Sequence, residues 1–109
     1  MEALAALADP TRRQIVALLA TGERSAGELA GHFPVTRPAI SRHLRVLREA
    51  GLVTARTEGR RRLYALDPGP LREIDDWLEP YRDLWASRLD ALDTEIARGR
   101  RARTSGAGT

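Results

Sequence analysis

Cysteine is absent from this sequence of 109 residues, and histidine occurs only twice. The lack of cysteine excludes disulfides and thiolate metal ligands, so the chain carries no redox signature. Lysine is absent as well, and all 18 basic residues are arginine. Because such a bias is typical of GC-rich coding, the number of arginines carries no functional argument by itself, and their positions must be examined instead.

Long apolar runs are also missing. No stretch approaches the roughly 20 residues that a membrane-spanning helix requires. Residues 1–7 lack both the basic segment and the long apolar core of a secretory signal. We therefore expect a cytoplasmic protein with no membrane partner.

The length and the charge limit the alternatives further. A chain of 109 residues suits one domain, since a single core serves roughly 100 to 150 residues. The formal net charge is only +3, yet the positive charge is concentrated at 37–48, 56–62 and 98–103. Clustered cations are the electrostatic footprint of nucleic-acid binding. No nucleophile with a neighbouring base, phosphate-binding glycine loop or metal-ligand spacing occurs, so we predict no catalytic residue, no metal site and no cofactor.

Capping signals predict short helices in the first part of the chain. Apolar residues at positions 3, 4, 7 and 8 indicate a short helix that ends at Asp9. Asp9 and Pro10 are the N-cap and first turn of a second helix, which should end near residue 22. Ser25 and Glu28 form a capping box that begins a third helix, expected to end near His32.

A fourth helix, over residues 36–50, carries the most informative pattern. At 100° per residue, Ile40, His43, Leu44 and Leu47 fall on one side. We interpret His43 as a structural residue of that packing side. A tight turn at 33–35 precedes this helix, and two short helices joined in this way are typical of a helix-turn-helix. The other side is cationic and suits the major groove of DNA, because arginine matches both phosphates and guanine edges. The predicted DNA-contacting residues of this helix are Thr36, Arg37, Pro38, Ser41, Arg42 and Arg45.

After Gly51 the pattern indicates strands. Residues 52–57 and 61–66 are strand-like runs separated by a glycine-containing turn at 58–60. This hairpin is the expected wing of a winged helix, and its arginines suit phosphates or a narrow minor groove. The predicted DNA-contacting residues of the wing are Arg56, Arg60, Arg61 and Arg62.

A long helix is predicted from Pro70 to about Ile96, with a kink at Pro80, which removes one helical hydrogen bond. A chain of this size has little core to offer so apolar a helix, and a large exposed apolar patch usually marks an interface. We predict a homodimer; intramolecular core, or a small-molecule pocket between the long helices, are the alternatives. The predicted interface residues are Leu4, Leu7, Trp77, Leu78, Tyr81, Trp85, Leu89 and Leu92.

The sequence as a whole predicts a mostly α fold with a β-hairpin wing. Residues 1–97 should form a winged helix-turn-helix domain for DNA binding and dimerisation. Residues 98–109 are basic and have nothing to bury, so they are expected to be a disordered tail.

Four segments in order resemble the ArsR/SmtB-type bacterial repressors, and the similarity covers roughly residues 4–92. The resemblance implies a homodimeric winged helix-turn-helix that binds a palindromic DNA operator and is released by an effector, often a metal. The positions that match the family's base-reading residues are Arg37, Pro38, Ser41 and Arg42; the first two replace small polar residues of many relatives, which predicts a different operator. The segments that carry the resemblance are Leu7–Arg13, Ser41–Leu44, Leu47–Leu52 and Glu58–Arg61.

The chain departs from the best-known metal sensors of that family. Their ligands are paired cysteines before the turn, or pairs of aspartate, histidine and glutamate on the last helix. The corresponding segments here, Ala26–Ala30 and Leu71–Ile96, contain neither cysteine nor histidine. Carboxylates alone are poor ligands for borderline metals. We therefore predict a metal-independent regulator whose effector, if it has one, is unknown; the competing hypothesis is a winged helix that binds a protein partner without reading DNA.

Overall fold

The computed structural model describes residues 2–107 and contains five helices and three short strands within that range. The helices are α1 (Glu2–Ala6), α2 (Pro10–Leu19), α3 (Ala26–Ala30), α4 (Arg37–Glu49) and α5 (Gly69–Ala107). The strands are β1 (Arg24–Ser25), β2 (Val53–Glu58) and β3 (Arg61–Leu66). A mostly α fold with a β-hairpin wing is confirmed.

Side-chain caps determine where the helices begin. The Asp9 carboxylate accepts from the backbone N–H groups of Thr11 and Arg12, at 2.8 and 3.1 Å, and so caps α2. Ser25 and Glu28 form the predicted capping box at α3. Thr36 Oγ1 accepts from Ala39 N at the start of α4. All three predicted N-caps are confirmed.

Three helix ends lie earlier than predicted, and one of them is that of α2, which ends at Leu19 rather than near residues 21–22. Helix α1 ends at Ala6 rather than at Asp9, because Asp9 takes an extended conformation to cap α2. The guanidinium groups of Arg12 and Arg13 then satisfy the carbonyls of residues 6–8 in place of helical N–H groups. Helix α3 ends at Ala30 rather than near His32, with its C-cap at Gly31.

Gly51 ends α4 as predicted. Its φ of +77° is in the left-handed region, where a side chain would be strained. Gly51 N donates to the Arg48 carbonyl, and Leu52 N donates to the Leu47 carbonyl, at 3.0 Å each. This pair of bonds is a Schellman motif, which turns the chain directly from α4 into the wing.

The sheet has the order β1-β3-β2 and is antiparallel throughout. In the hairpin Val53 lies opposite Leu66 and Glu58 opposite Arg61, so Gly59 and Arg60 form the connecting turn. Gly59 has a φ of +62°, as a tight hairpin requires. The third strand, β1, was not predicted, because a pair of residues is too short to show a period of two.

The core lies within the unit that ends at Ile74. Its fully buried side chains come from every helix α2–α4 and from the start of the wing, and several half-buried residues pack around it, including Leu71 and Ile74 of α5. The six largest are Ile15, Leu29, Ile40, Leu44, Leu47 and Leu52. The face of α4 that carries Ile40, Leu44 and Leu47 is therefore fixed, and its opposite face is free.

The chain contains two compact units, one that ends at Ile74 and one that begins at Asp75. The predicted domain over residues 1–97 stays a prediction. Residues 98–107 continue α5 instead of forming a disordered tail, and residues 108–109 lie outside the described part. Alanine and arginine favour helix. Once a helix has formed, each added residue loses only its own conformational freedom and gains one backbone hydrogen bond, so the helix extends readily. The helix also runs through Pro80 without interruption, and a kink there stays a prediction.

Candidate nucleic-acid interface

Helix α4 presents a cationic surface on the side away from the core. The buried residues Ile40, Leu44 and Leu47 hold one side of the helix. All six residues predicted to contact DNA from this helix are exposed: Thr36, Arg37, Pro38, Ser41, Arg42 and Arg45. The opening turn holds Arg37 and Pro38, and the later turns hold the other cations, so a polyanion can reach guanidinium groups along the helix.

His43 lies between the two sides of α4. It is half-buried, and its Nδ1 is 3.5 Å from Arg12 Nη1. The same arginine donates from Nε to the Ala6 carbonyl at 2.6 Å. His43 therefore connects α4 to α2 and α1, which agrees with its interpretation as a structural residue.

The wing arginines differ in their partners. Arg56 Nε lies 2.7 Å from Glu23 Oε2, and Arg56 Nη2 lies 3.2 Å from Glu58 Oε2. Arg61 forms an ion pair with Glu28. Arg60 and Arg62 make no ion pair with any residue in the described range. The positive charges of two of the four predicted wing residues are thus partly compensated by carboxylates within the protein. The sequence did not indicate this compensation.

Glu28 serves the wing and α3 together. Its carboxylate accepts from Ser25 N and Ser25 Oγ at 3.4 and 3.1 Å and also pairs with Arg61. The hydrogen bonds from Ser25, followed by the charge of Arg61, hold the pKa of Glu28 below its usual value. Correspondingly, the hydrogen bond and charge of Glu23 raise the pKa of Arg56. Both wing strands are therefore connected electrostatically to the segment that begins the helix-turn-helix.

A cleft of 560 Å³ lies between α4 and the wing; we call it the helix–wing cleft. It is lined by Pro38, Ser41, Arg42, Arg45, Arg48, Arg62 and Tyr64. Sequence reasoning missed Arg48 and Tyr64. Arg48 follows Arg45 by three residues, which is a helical neighbour, and Tyr64 follows Arg62 by two, which is the same face of a strand. Both spacings are visible in the sequence and would have placed Arg48 and Tyr64 beside the predicted DNA-contacting residues.

Another cleft, of 390 Å³, lies between the first turns of α4 and the wing. Its lining includes Arg37 from α4 and Arg60, Arg61 and Arg62 from the wing. The structure therefore brings together the two sets of arginines that the sequence placed in separate elements. Arg56 does not line either cleft, since it points toward Glu23.

Large apolar side chains are exposed along α5. Leu78 and Leu7 are half-buried, and Leu7 packs against the core. The Trp77 and Tyr81 rings are in tilted contact, with centroids 5.8 Å apart. Exposed apolar patches of this kind are often interfaces, and the location of the interface stays a prediction. The exposed members of the predicted interface are Leu4, Trp77, Tyr81, Trp85, Leu89 and Leu92, joined by Leu84 and Ile96.

Neither a metal cluster nor a membrane-spanning helix occurs in the described part of the chain. Within residues 2–107, no three histidine, cysteine, aspartate or glutamate side chains come close enough together to hold a metal ion. None of the helices in that range combines the length and the apolar character needed to cross a bilayer.

The helices and the β2–β3 hairpin together form a winged helix-turn-helix. Residues 9–55 match the family model for bacterial regulatory proteins of the arsR family. Transcriptional repressor SdpR of Bacillus subtilis is 37% identical over 67% of this chain and 81% of its own length. The chain belongs to the ArsR family.

Further relatives agree with that membership. HTH-type transcriptional regulator Rv2034 of Mycobacterium tuberculosis is 58% identical over 63% of this chain, and the match spans 64% of the relative's length. Among solved structures, the homodimeric winged helix-turn-helix DNA-binding domain Mb0332 of Mycobacterium bovis superposes with a TM-score of 0.61 at 32% identity. That match covers 75% of this chain and 76% of the other.

Proposed function

We propose that the protein is a homodimeric repressor that binds a palindromic DNA operator. The observation that carries the proposal is the continuous cationic surface of α4 and the wing, which is concave at the helix–wing cleft and opposite the buried side of α4. Helix α4 enters the major groove, and the wing contacts the adjacent backbone or the minor groove. SdpR is named a transcriptional repressor, which supports the regulatory direction.

Base reading is assigned to the exposed side of α4. Arg37 and Arg42 can each form a bidentate contact with guanine, and Ser41 and Thr36 can bond to bases or phosphates. Arg60 and Arg62 are assigned to the sugar–phosphate backbone, because neither is committed to an ion pair within the described residues.

Dimerisation is assigned to the apolar face of α5. Trp77, Trp85 and Leu89 are 50%, 42% and 55% exposed in the single chain. A second copy of the chain would cover this face, and the homodimeric state of Mb0332 supports that choice. We further propose that no transition metal controls DNA binding, since cysteine is absent and histidine occurs twice.

The test is selection of genomic fragments by the purified protein, followed by footprinting of the enriched sites. The region upstream of the protein's own gene is the first candidate. We expect a symmetric footprint with two half-sites about one helical turn apart, since a two-fold dimer presents two copies of α4. Enrichment that does not depend on sequence would contradict operator recognition.

A further inference from the structure

The helix–wing cleft concentrates unpaired positive charge. It contains the guanidinium groups of Arg42, Arg45 and Arg48 from α4 and Arg62 from β3, and no carboxylate lines it. In the described residues none of these four arginines forms an ion pair. Cations that converge in a concave site without a counter-charge create a strong local potential for an anion.

Tyr64 gives this cleft a rigid wall. The residue lies in β3, the central strand of the sheet, opposite Arg24 on one side and Ala55 on the other. Only 9% of Tyr64 is exposed, and it belongs to the hydrophobic core. Its ring is therefore fixed by packing, in contrast to the long side chains that surround it.

The ring of Tyr64 supports Arg62. The Arg62 Cζ lies 5.7 Å from the ring centroid, which is within the range of a cation–π contact. An exposed arginine otherwise samples many rotamers, and fixing it costs entropy when it binds. Stacking on a ring that is already immobile reduces that cost, and it keeps the guanidinium beside Ser41 and Arg42, with which it shares the cleft.

We propose that the helix–wing cleft binds a backbone phosphate of duplex DNA, and that Tyr64 is a positioning residue that holds Arg62 for this contact. The proposal rests on the proposed function. If α4 lies in the major groove and the wing reaches past its edge, the sugar–phosphate strand that separates the two grooves must pass between them. The helix–wing cleft is the space between those elements, and guanidinium groups match phosphate geometry.

A double-mutant cycle separates positioning from a structural role. Affinity for the operator duplex is measured over a salt series for the wild type, Tyr64→Leu, Arg62→Ala and the double variant. Arg62→Ala should reduce the slope of log K against log salt by about 0.9 for each subunit. Tyr64→Leu should weaken binding on the order of two- to fivefold for each subunit, as expected for a cation–π contact. On the Arg62→Ala background it should have no further effect.

Tyr64→Phe is the matched control, because it keeps the ring and should bind like the wild type. Thermal unfolding of each variant is recorded in parallel, and Tyr64→Met replaces Tyr64→Leu if the latter does not fold. Equal losses from Tyr64→Leu on both backgrounds would overturn the positioning role. An unchanged salt slope in Arg62→Ala would overturn the phosphate site. In contrast, a wild-type protein without salt-dependent affinity for duplex DNA would contradict the proposed function itself.

Discussion

Individual arginines of the wing differ because some already have a carboxylate partner. Arg56 and Arg61 are bound to Glu23 and Glu28, whereas Arg60 and Arg62 have no such partner in the described chain. All of these pairs are exposed, and exposed ion pairs are weak and screened by salt. A phosphate can therefore replace a carboxylate, but the arginine then gives up its ion pair within the protein, which reduces the net benefit to DNA binding.

The wing arginines should consequently contribute unequally to DNA affinity. Arg60→Ala should weaken binding to all sequences alike and reduce the salt slope by about 0.9 per subunit. Arg61→Ala should have a smaller effect, because in the wild type Arg61 must give up its ion pair with Glu28 before it can contact a phosphate. Fluorescence anisotropy with operator and random duplexes measures both quantities. A larger loss in Arg61→Ala than in Arg60→Ala would contradict this ranking.

On α4, single arginines should determine base preference. Each bidentate contact between arginine and guanine discriminates by roughly 1 to 3 kcal/mol, so Arg37→Ala or Arg42→Ala should weaken operator binding and relax selectivity. Arg72→Ala removes the same charge outside both clefts and is the matched control. The measurement is competition with mismatched operators. Unchanged discrimination in both α4 variants would exclude them as base readers.

At the scale of elements, local capping chemistry accounts for most of the helix-turn-helix. Asp9, Ser25 and Thr36 could be identified from the sequence because each cap acts on a backbone group two or three residues away. Gly51 could be identified for the same reason, since one left-handed residue ends α4. These short-range signals place α4 and direct its cationic side outward.

The features that the sequence did not reveal depend on distant residues or on length. Arg56 meets Glu23, and Arg61 meets Glu28, each across a separation of 33 residues, and neither pair has a local signature. Strand β1 exists because β3 provides a partner for residues 24 and 25. The helical continuation through residues 98–107 was missed because apolar periodicity stops there, although helix propagation does not require it.

Capping of α2 should make stability depend on pH. The hydrogen bond from Arg12 N, then that from Thr11 N, lowers the pKa of Asp9 in the folded state. A carboxyl with a depressed folded pKa contributes its full stabilisation above its unfolded pKa and loses it as the pH falls through the folded value. Asp9→Asn keeps an N-cap but cannot titrate. We expect the wild type to be more stable than Asp9→Asn at pH 7. This difference in the free energy of unfolding should begin to decrease as the pH falls below about 4 and should be lost once the pH is below the folded pKa of Asp9.

Urea denaturation at several pH values measures that difference. Asp9→Ala, which also removes the cap, is the control and should be less stable than Asp9→Asn at every pH. A constant gap between the wild type and Asp9→Asn from pH 7 down to acid unfolding would show that the Asp9 charge does not stabilise α2.

For the whole molecule, the composition leads to a prediction about metals. Zinc, nickel, copper or arsenite at micromolar concentration should leave operator affinity unchanged, because the chain has no cysteine. Affinity is measured with and without a chelator. A stoichiometric site that shifts affinity tenfold, which corresponds to about 1.4 kcal/mol of coupling, would contradict this prediction.

The proposed dimer connects the apolar face of α5 with operator recognition. One copy of α4 reads only a few base pairs, whereas two copies read a palindrome and double the number of phosphate contacts. If the dimer contacts on the order of 8 phosphates, log K should fall with log salt with a slope near −7, and a monomer should show about half of that slope.

Trp85→Asp should therefore produce a folded monomer with weak DNA binding. Because Trp85 is 42% exposed in the single chain, its replacement removes little intramolecular core, but in a dimer it would bury an unpaired charge. Ser87→Asp adds the same charge on the opposite side of α5 and should remain dimeric, since residues two apart on a helix point in different directions. Sedimentation gives the mass, circular dichroism the helix content and a salt titration the slope. If Trp85→Asp is a monomer that binds the full palindrome with wild-type affinity and slope, then α5 does not form the interface on which operator binding depends.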